Sequence, residues 1–122
     1  MSHLRTAKMK IKGADLSVCR AVTSAMAQKY KGSVTASIID FYRNPVAVTF
    51  GVSGIEYGIN LVNGEITAIG DSWGKTITLE QFKQEFELTY THLAVAKAMR
   101  AQGFNVNTKN TPLGVLLQGV RY

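Results

Sequence analysis

The sequence predicts an α+β domain: a largely antiparallel sheet with two helices packed on one face. Three observations carry that expectation. Residues 5–12 alternate between apolar and polar side chains, two later stretches repeat apolar residues at helical spacing, and between those stretches lies a run of short β-rich segments separated by turn signals. The chain has 122 residues, 46% of them hydrophobic and 18% charged, which is enough for one core and too short for two. Residues 1–122 are therefore read as a single domain.

The first strand is expected over Arg5 to Lys12. Ala7, Met9 and Ile11 fall on one side, and Thr6, Lys8, Lys10 and Lys12 on the other, so a half-buried strand presents a lysine row on its open face. Asp15 then supplies an N-cap, and Leu16, Cys19, Val22, Met26 and Tyr30 form the apolar stripe of a helix stopped by Gly32. On that stripe Cys19 reads as a buried, inert thiol.

Val34 to Tyr42 reads as a second strand, Arg43-Asn44-Pro45 as a turn, and Val46 to Val52 as a third strand ended by Ser53-Gly54. Ile55, Tyr57, Ile59 and Leu61 mark the next strand, with Glu56, Gly58 and Asn60 facing away. Asn63-Gly64 is the strongest hairpin signal in the chain, because a type I′ turn needs positive φ at both positions. Ile66 to Gly70 returns beside it, which completes an antiparallel meander.

Thr78 and Gln81 have capping-box spacing at the start of a long helix, and Gly103 ends it. Leu79, Phe82, Phe86, Tyr90 and Leu93 share one stripe. Leu88, Val95 and Met99 lie on the opposite side, so this helix is expected to be covered on both faces, the second by a neighbouring subunit in a homo-oligomer. Phe104 to Thr108 and Val115 to Tyr122 read as two final strands around residues 110–114.

Net charge is +6 and unevenly spread. Residues 1–31 carry seven Lys/Arg against one Asp, residues 32–74 carry one against four acids, and residues 75–122 carry six against three. The excess near the first strand and helix points to an anionic partner, a nucleotide or nucleic acid. No apolar run reaches the roughly 18 residues of a membrane span. The basic opening lacks a secretory pattern, and the single cysteine cannot form an internal disulfide. A cytoplasmic setting, or an equivalent reducing compartment, is the expectation.

Catalytic constellations are sparse. Gly70-Asp71-Ser72-Trp73-Gly74-Lys75-Thr76 imitates a phosphate-binding loop, but it has three residues between the glycines where the motif has four. Its setting after an antiparallel meander is also wrong, so a turn entering a capped helix explains it better. His3 and His92 lie far apart without acidic partners at metal-ligand spacing, and His92 is expected to be a hydrogen-bonded interior histidine. Glu80, Glu85 and Glu87 suit the positive end of a helix dipole. Nothing in the sequence requires catalysis, a metal or a cofactor.

The binding case rests on the lysine row. Successive same-face residues of a strand stand about 7 Å apart, close to the phosphate spacing of an extended single strand. Trp73, Tyr57, Arg121 and Tyr122 are the aromatic and basic neighbours expected to complete a stacking platform. Lys8, Lys10 and Lys12, with Tyr57, Trp73 and Arg121, are thus the candidate ligand contacts. Leu88, Val95 and Met99 are the candidate contacts of an assembly subunit. Lysine on an edge strand also serves simply to block sheet-to-sheet pairing.

Several stretches look familiar. Met1-Ser2-His3 before a basic strand resembles the hypothetical chloroplast reading frame thirty-five family of plastids and cyanobacteria. So do Ile55-Glu56-Tyr57-Gly58-Ile59-Asn60 with the Asn63-Gly64 turn, Asp71 and Trp73, and above all Gln102 to Val106 and Gly114 to Gln118 running on to Arg121-Tyr122. The similarity spans most of the chain in order and is thin over residues 13–54. Tyr90-Thr91-His92 shifts the family's helix histidine by one position, and Tyr122 stands where the family has Trp. The resemblance implies a divergent member with the same small α+β fold and an intracellular setting (cytoplasm, plastid stroma or, for a phage-encoded relative, the host cytoplasm). It implies no activity, because the family is functionally uncharacterised.

Overall fold

A computed structural model describes residues 4–72, 75, 77–111 and 114–121, the last two strands by their backbone. The element order is β1 (Arg5–Lys8), α1 (Leu16–Lys29), β2 (Val34–Ile39), β3 (Pro45–Val52), β4 (Tyr57–Val62), β5 (Glu65–Gly70), α2 (Leu79–Ala101), β6 (Phe104–Thr111) and β7 (Gly114–Arg121). β1 to β5 form one antiparallel sheet in the order β1-β5-β4-β3-β2, with β1 and β2 at its edges. β6 and β7 form a separate antiparallel hairpin whose backbone runs beside α2. Among the described residues no helix is long and apolar enough to cross a membrane.

Local sequence accounts for the ends of most elements. Asp15 Oδ1 accepts from Ser17 N at 2.8 Å and Val18 N at 3.3 Å, satisfying donors that the first turn of α1 leaves open. At the other end Gly32 N donates to Ala27 O and Lys31 N to Gln28 O, the paired bonds of a Schellman cap. The left-handed residue of that cap is Lys31, at φ 56°, and not the expected Gly32. Gly32 is needed for a different reason: a Cβ there would sit 1.8 Å from Ser53 O. Thr78 and Gln81 exchange both capping-box bonds, 3.1 and 2.8 Å. Asn63 and Gly64 both take positive φ, 52° and 77°, as the hairpin between β4 and β5 requires.

One sheet face carries the main core. Val52, Tyr57, Ile59, Ile66 and Ala68 meet Val18, Cys19, Val22 and Met26 of α1 and Phe82, Phe86 and Tyr90 of α2. Both helices therefore pack on one face. Tyr57 stacks on Phe82 with ring centres 5.3 Å apart, and each fully buried ring contributes on the order of 2 kcal/mol of transfer free energy. Two of the three helix glutamates do more than favour the dipole. Glu85 holds Lys29 and accepts from Tyr30 Oη at 2.5 Å, and Glu87 accepts from Lys10 N at 3.0 Å, so α2 is tied to α1 and to the segment after β1.

The opposite face carries a smaller cluster of Ile38, Val48 and Ile69. Gly51 and Gly58 face each other across β3 and β4, and a Cβ on either would meet Val48 at 3.1 Å. Asn60 and Thr49 side chains replace ladder partners where β3 leaves β4, accepting from Thr49 N and Leu61 N respectively. A register shift also falls between Thr35 and Ser37. The tip of the β2–β3 hairpin consequently reaches Glu56 at the start of β4, where the Glu56 carboxylate accepts from Ile39 N at 2.9 Å. Leu16, expected on the buried stripe of α1, is 57% exposed because it occupies the first turn, beyond the reach of the sheet.

Candidate functional site

The predicted basic strand is shorter than its alternation suggested. Regular pairing with β5 covers Arg5 to Lys8 and one further bond, from Met9 N to Ile66 O. Lys10 then gives its amide to Glu87, and Gly13 at φ 61° turns the chain toward the β4–β5 hairpin, where Ala14 N donates to Gly64 O. The inward-outward alternation nevertheless persists. Met9 is buried, Ala7 and Ile11 are half-buried, and Lys8, Lys10 and Lys12 are all exposed.

Three lysines outside this row are already ion-paired. Lys29 is taken by Glu85, Lys83 lies near Glu80 and Glu87, and Lys97 lies 2.6 Å from Asp15. Lys8 meets Glu65 at 3.2 Å, with both side chains more than half exposed. Such a pair is worth only about 0–1 kcal/mol and yields readily to a competing anion. Among the described residues no carboxylate stands within ion-pair distance of Lys10 or Lys12.

The expected aromatic neighbours are not brought to this edge. Tyr57 was expected to be exposed, but it is fully buried, because its ring fills the core against Phe82 and the Cβ-less backbone of Gly70. Its hydroxyl donates to Ile77 O at 2.7 Å and lies 3.2 Å from Ser72 Oγ, so it fastens the segment between β5 and α2. Trp73 and Tyr122 lie outside the described residues. For Arg121 the backbone at the end of β7 is described and the side chain is not.

The phosphate-loop imitation resolves into a structural segment as far as it is described; Gly74 and Thr76 lie outside the described residues. β5 runs antiparallel to both neighbours, so the parallel crossover such a loop needs is absent here. Lys75 Nζ turns inward, donating to Glu56 O at 3.0 Å and lying 4.1 Å from the centre of the Tyr57 ring. Burial pushes the Lys75 ammonium below its ordinary pKa, opposed by Asp71 and then Glu56. Burial likewise raises the Tyr57 phenol, with Asp71 adding to the shift and the Ser72 bond opposing it.

A cavity of about 480 Å³ opens beside this lysine under the β2–β3 tip. Ile39, Asp40, Phe41 and Arg43 come from the tip, Glu56 from the start of β4, and Asp71 and Lys75 from the segment after β5. The sequence missed it, because the second strand was expected to run to Tyr42. The strand ends at Ile39, and Asp40 opens the turn: Asp40 O accepts from Arg43 N, and Asp40 Oδ1 accepts from Asn44 N at 2.8 Å. An aspartate opening a turn was the available signal.

The remaining candidates divide plainly. Leu88 and Val95 are 50% and 46% exposed, and Met99 is half-buried. His92 Nδ1 is buried without a hydrogen-bond partner, contrary to the satisfied interior histidine the sequence suggested. His3 lies outside the described residues. Cys19 is fully buried, and desolvation pushes its thiol up to about 11, as an inert core cysteine requires. Among the described residues no three His, Cys, Asp or Glu side chains gather at metal-binding distance. No protein-family model, no curated protein and no solved structure matches the chain.

Proposed function

We propose that the protein is a binding module for an anionic ligand, a nucleotide or nucleic acid, held along the open edge formed by β1 and the residues after it. The observation that carries this reading is the exposure of Lys8, Lys10 and Lys12 in one alternating row, with only Lys8 facing a carboxylate among the described residues. Arg5 is exposed at the start of the same edge. Phosphates displace counterions from such a row, and the gain falls as salt rises. Tyr57 takes no part, being core, and the likeness to the plastid reading-frame family names no ligand.

Anisotropy of a labelled oligothymidylate, titrated at several salt concentrations, tests the reading. The variant K8E/K10E/K12E should lose most of the affinity, and its log–log salt slope should flatten by about 0.7 for each phosphate contact removed. Unchanged binding by that variant overturns the site, and no salt-dependent binding by the parent chain overturns the function.

A second reading is favoured by the exposure of Leu88 and Val95. These residues stand on the side of α2 opposite the core stripe, where a second copy of the chain in a homo-oligomer would cover them.

A further inference from the structure

The cavity under the β2–β3 tip shares no lining residue with the lysine row, and its polar wall is unevenly committed. Both Glu56 carboxylate oxygens are occupied by amides, Oε1 by Ile39 N and Oε2 by Gly54 N, each at 2.9 Å. Both Asp40 oxygens face Asn44, its backbone N at 2.8 Å and its Nδ2 at 3.4 Å. The two cations are differently placed. Lys75 Nζ makes one bond to an oxygen, a backbone carbonyl, and the Arg43 side chain has no carboxylate within ion-pair distance among the described residues. The unspent hydrogen-bonding capacity of these four side chains is therefore mostly donor capacity.

Two of the four non-glycine residues with positive φ among the described residues stand in the same wall, the other two, Lys31 and Asn63, serving a helix cap and a hairpin turn. Arg43 and Glu56 sit at φ 67° and 52°, in the left-handed region that non-glycine residues seldom enter. Each is held there by the turn around it, Arg43 N bonding to Asp40 O and Glu56 N to Val52 O. Strained residues of this kind collect at ligand clamps. Phe41 adds an aromatic face at the rim; it is 52% exposed and stands edge-on to Tyr42 with ring centres 5.3 Å apart. The volume falls within the range of small-molecule sites.

We infer that this cavity binds a planar ring bearing a single negative charge, the ring against Phe41 and the anionic group at Arg43 and Lys75. With Asp40, Glu56 and Asp71 also in the wall, a multiply charged phosphate would meet more carboxylates than cations. A monoanion meets the same donors with proportionately less repulsion from those carboxylates. Two sources share this chemistry: a free aromatic carboxylate, and one base with its phosphodiester in a single strand.

Amide chemical shifts of the full chain, followed during titration with benzoate, with thymidylyl-thymidine and with acetate, test the inference. One of the two ring-bearing anions should shift the amides of Ile39, Asp40 and Glu56 saturably and bind at least about tenfold more tightly than acetate. The tighter of the two identifies the source. R43Q and F41A change exposed side chains and should each weaken that binding about tenfold while leaving the rest of the spectrum in place. Acetate binding as tightly as both, saturable shifts confined elsewhere, no saturable shift, or full affinity in both variants would each overturn the inference. K8E/K10E/K12E should leave this titration unchanged, which separates it from binding along the β1 edge.

Discussion

Lys75 rests its ammonium on the ring of Tyr57, 4.1 Å from the centroid, while the Tyr57 hydroxyl reaches past it to the carbonyl of Ile77. One buried tyrosine thus fixes both ends of the segment joining β5 to α2. Replacing Tyr57 by Phe keeps the stack on Phe82 and the face under Lys75 but removes the donor to the Ile77 carbonyl and one of the two contacts of Ser72 Oγ, which still accepts from Leu79 N. Urea unfolding should show a loss of about 1–2 kcal/mol with an unchanged slope. Unaltered stability would mean that the hydroxyl does not anchor the segment.

Asp15 gives a pH dependence with a definite sign. The Lys97 ammonium first, and then the Ser17 hydroxyl, hold its carboxyl well below the usual carboxylate range. A native pKa below the unfolded one means the contribution is complete above the unfolded value, about 3.9, and is lost as pH falls toward the native value. D15N should therefore lower the urea midpoint at pH 7 and narrow its gap from the parent as pH drops through 4 to 2. A gap that stays constant with pH would show that the loss is of capping geometry alone.

Val95 tests the assembly reading. Because it is 46% exposed, V95D should fold with the parent's thermal midpoint to within a few degrees. If α2 joins two copies through Leu88 and Val95, sedimentation should show the parent associating and the variant monomeric. A parent chain that is monomeric at every accessible concentration would remove that reading.

Much of the fold was legible because it is locally encoded. The Asp15 cap, the Thr78–Gln81 box and the Asn63-Gly64 turn each need only a few neighbouring residues, and each is present as expected. What escaped was tertiary. Tyr57 alternates correctly, yet alternation cannot say whether its hydroxyl ends in water or on Ile77 O. The glutamates of α2 suit a helix start by themselves, and only the packed structure shows Glu85 and Glu87 spent on Tyr30, Lys29 and Lys10. The cavity depended on a three-residue error in one strand end and on the folding over of a hairpin, which two facing glycines permit without announcing it.

That folded hairpin makes the two borders of the sheet unequal. β2 shifts register and carries its tip over the sheet, so it offers a newcomer no long, flat row of backbone groups. Growth of the sheet is left to β1, four residues long and bordered by positive charge. Two copies meeting antiparallel along that strand would crowd both Arg5 and both Lys8 side chains around one four-residue ladder, a repulsion between like charges. The side chains proposed to meet an anion thus also guard against self-templating, and a charge reversal made to test that proposal should be watched for fibrils.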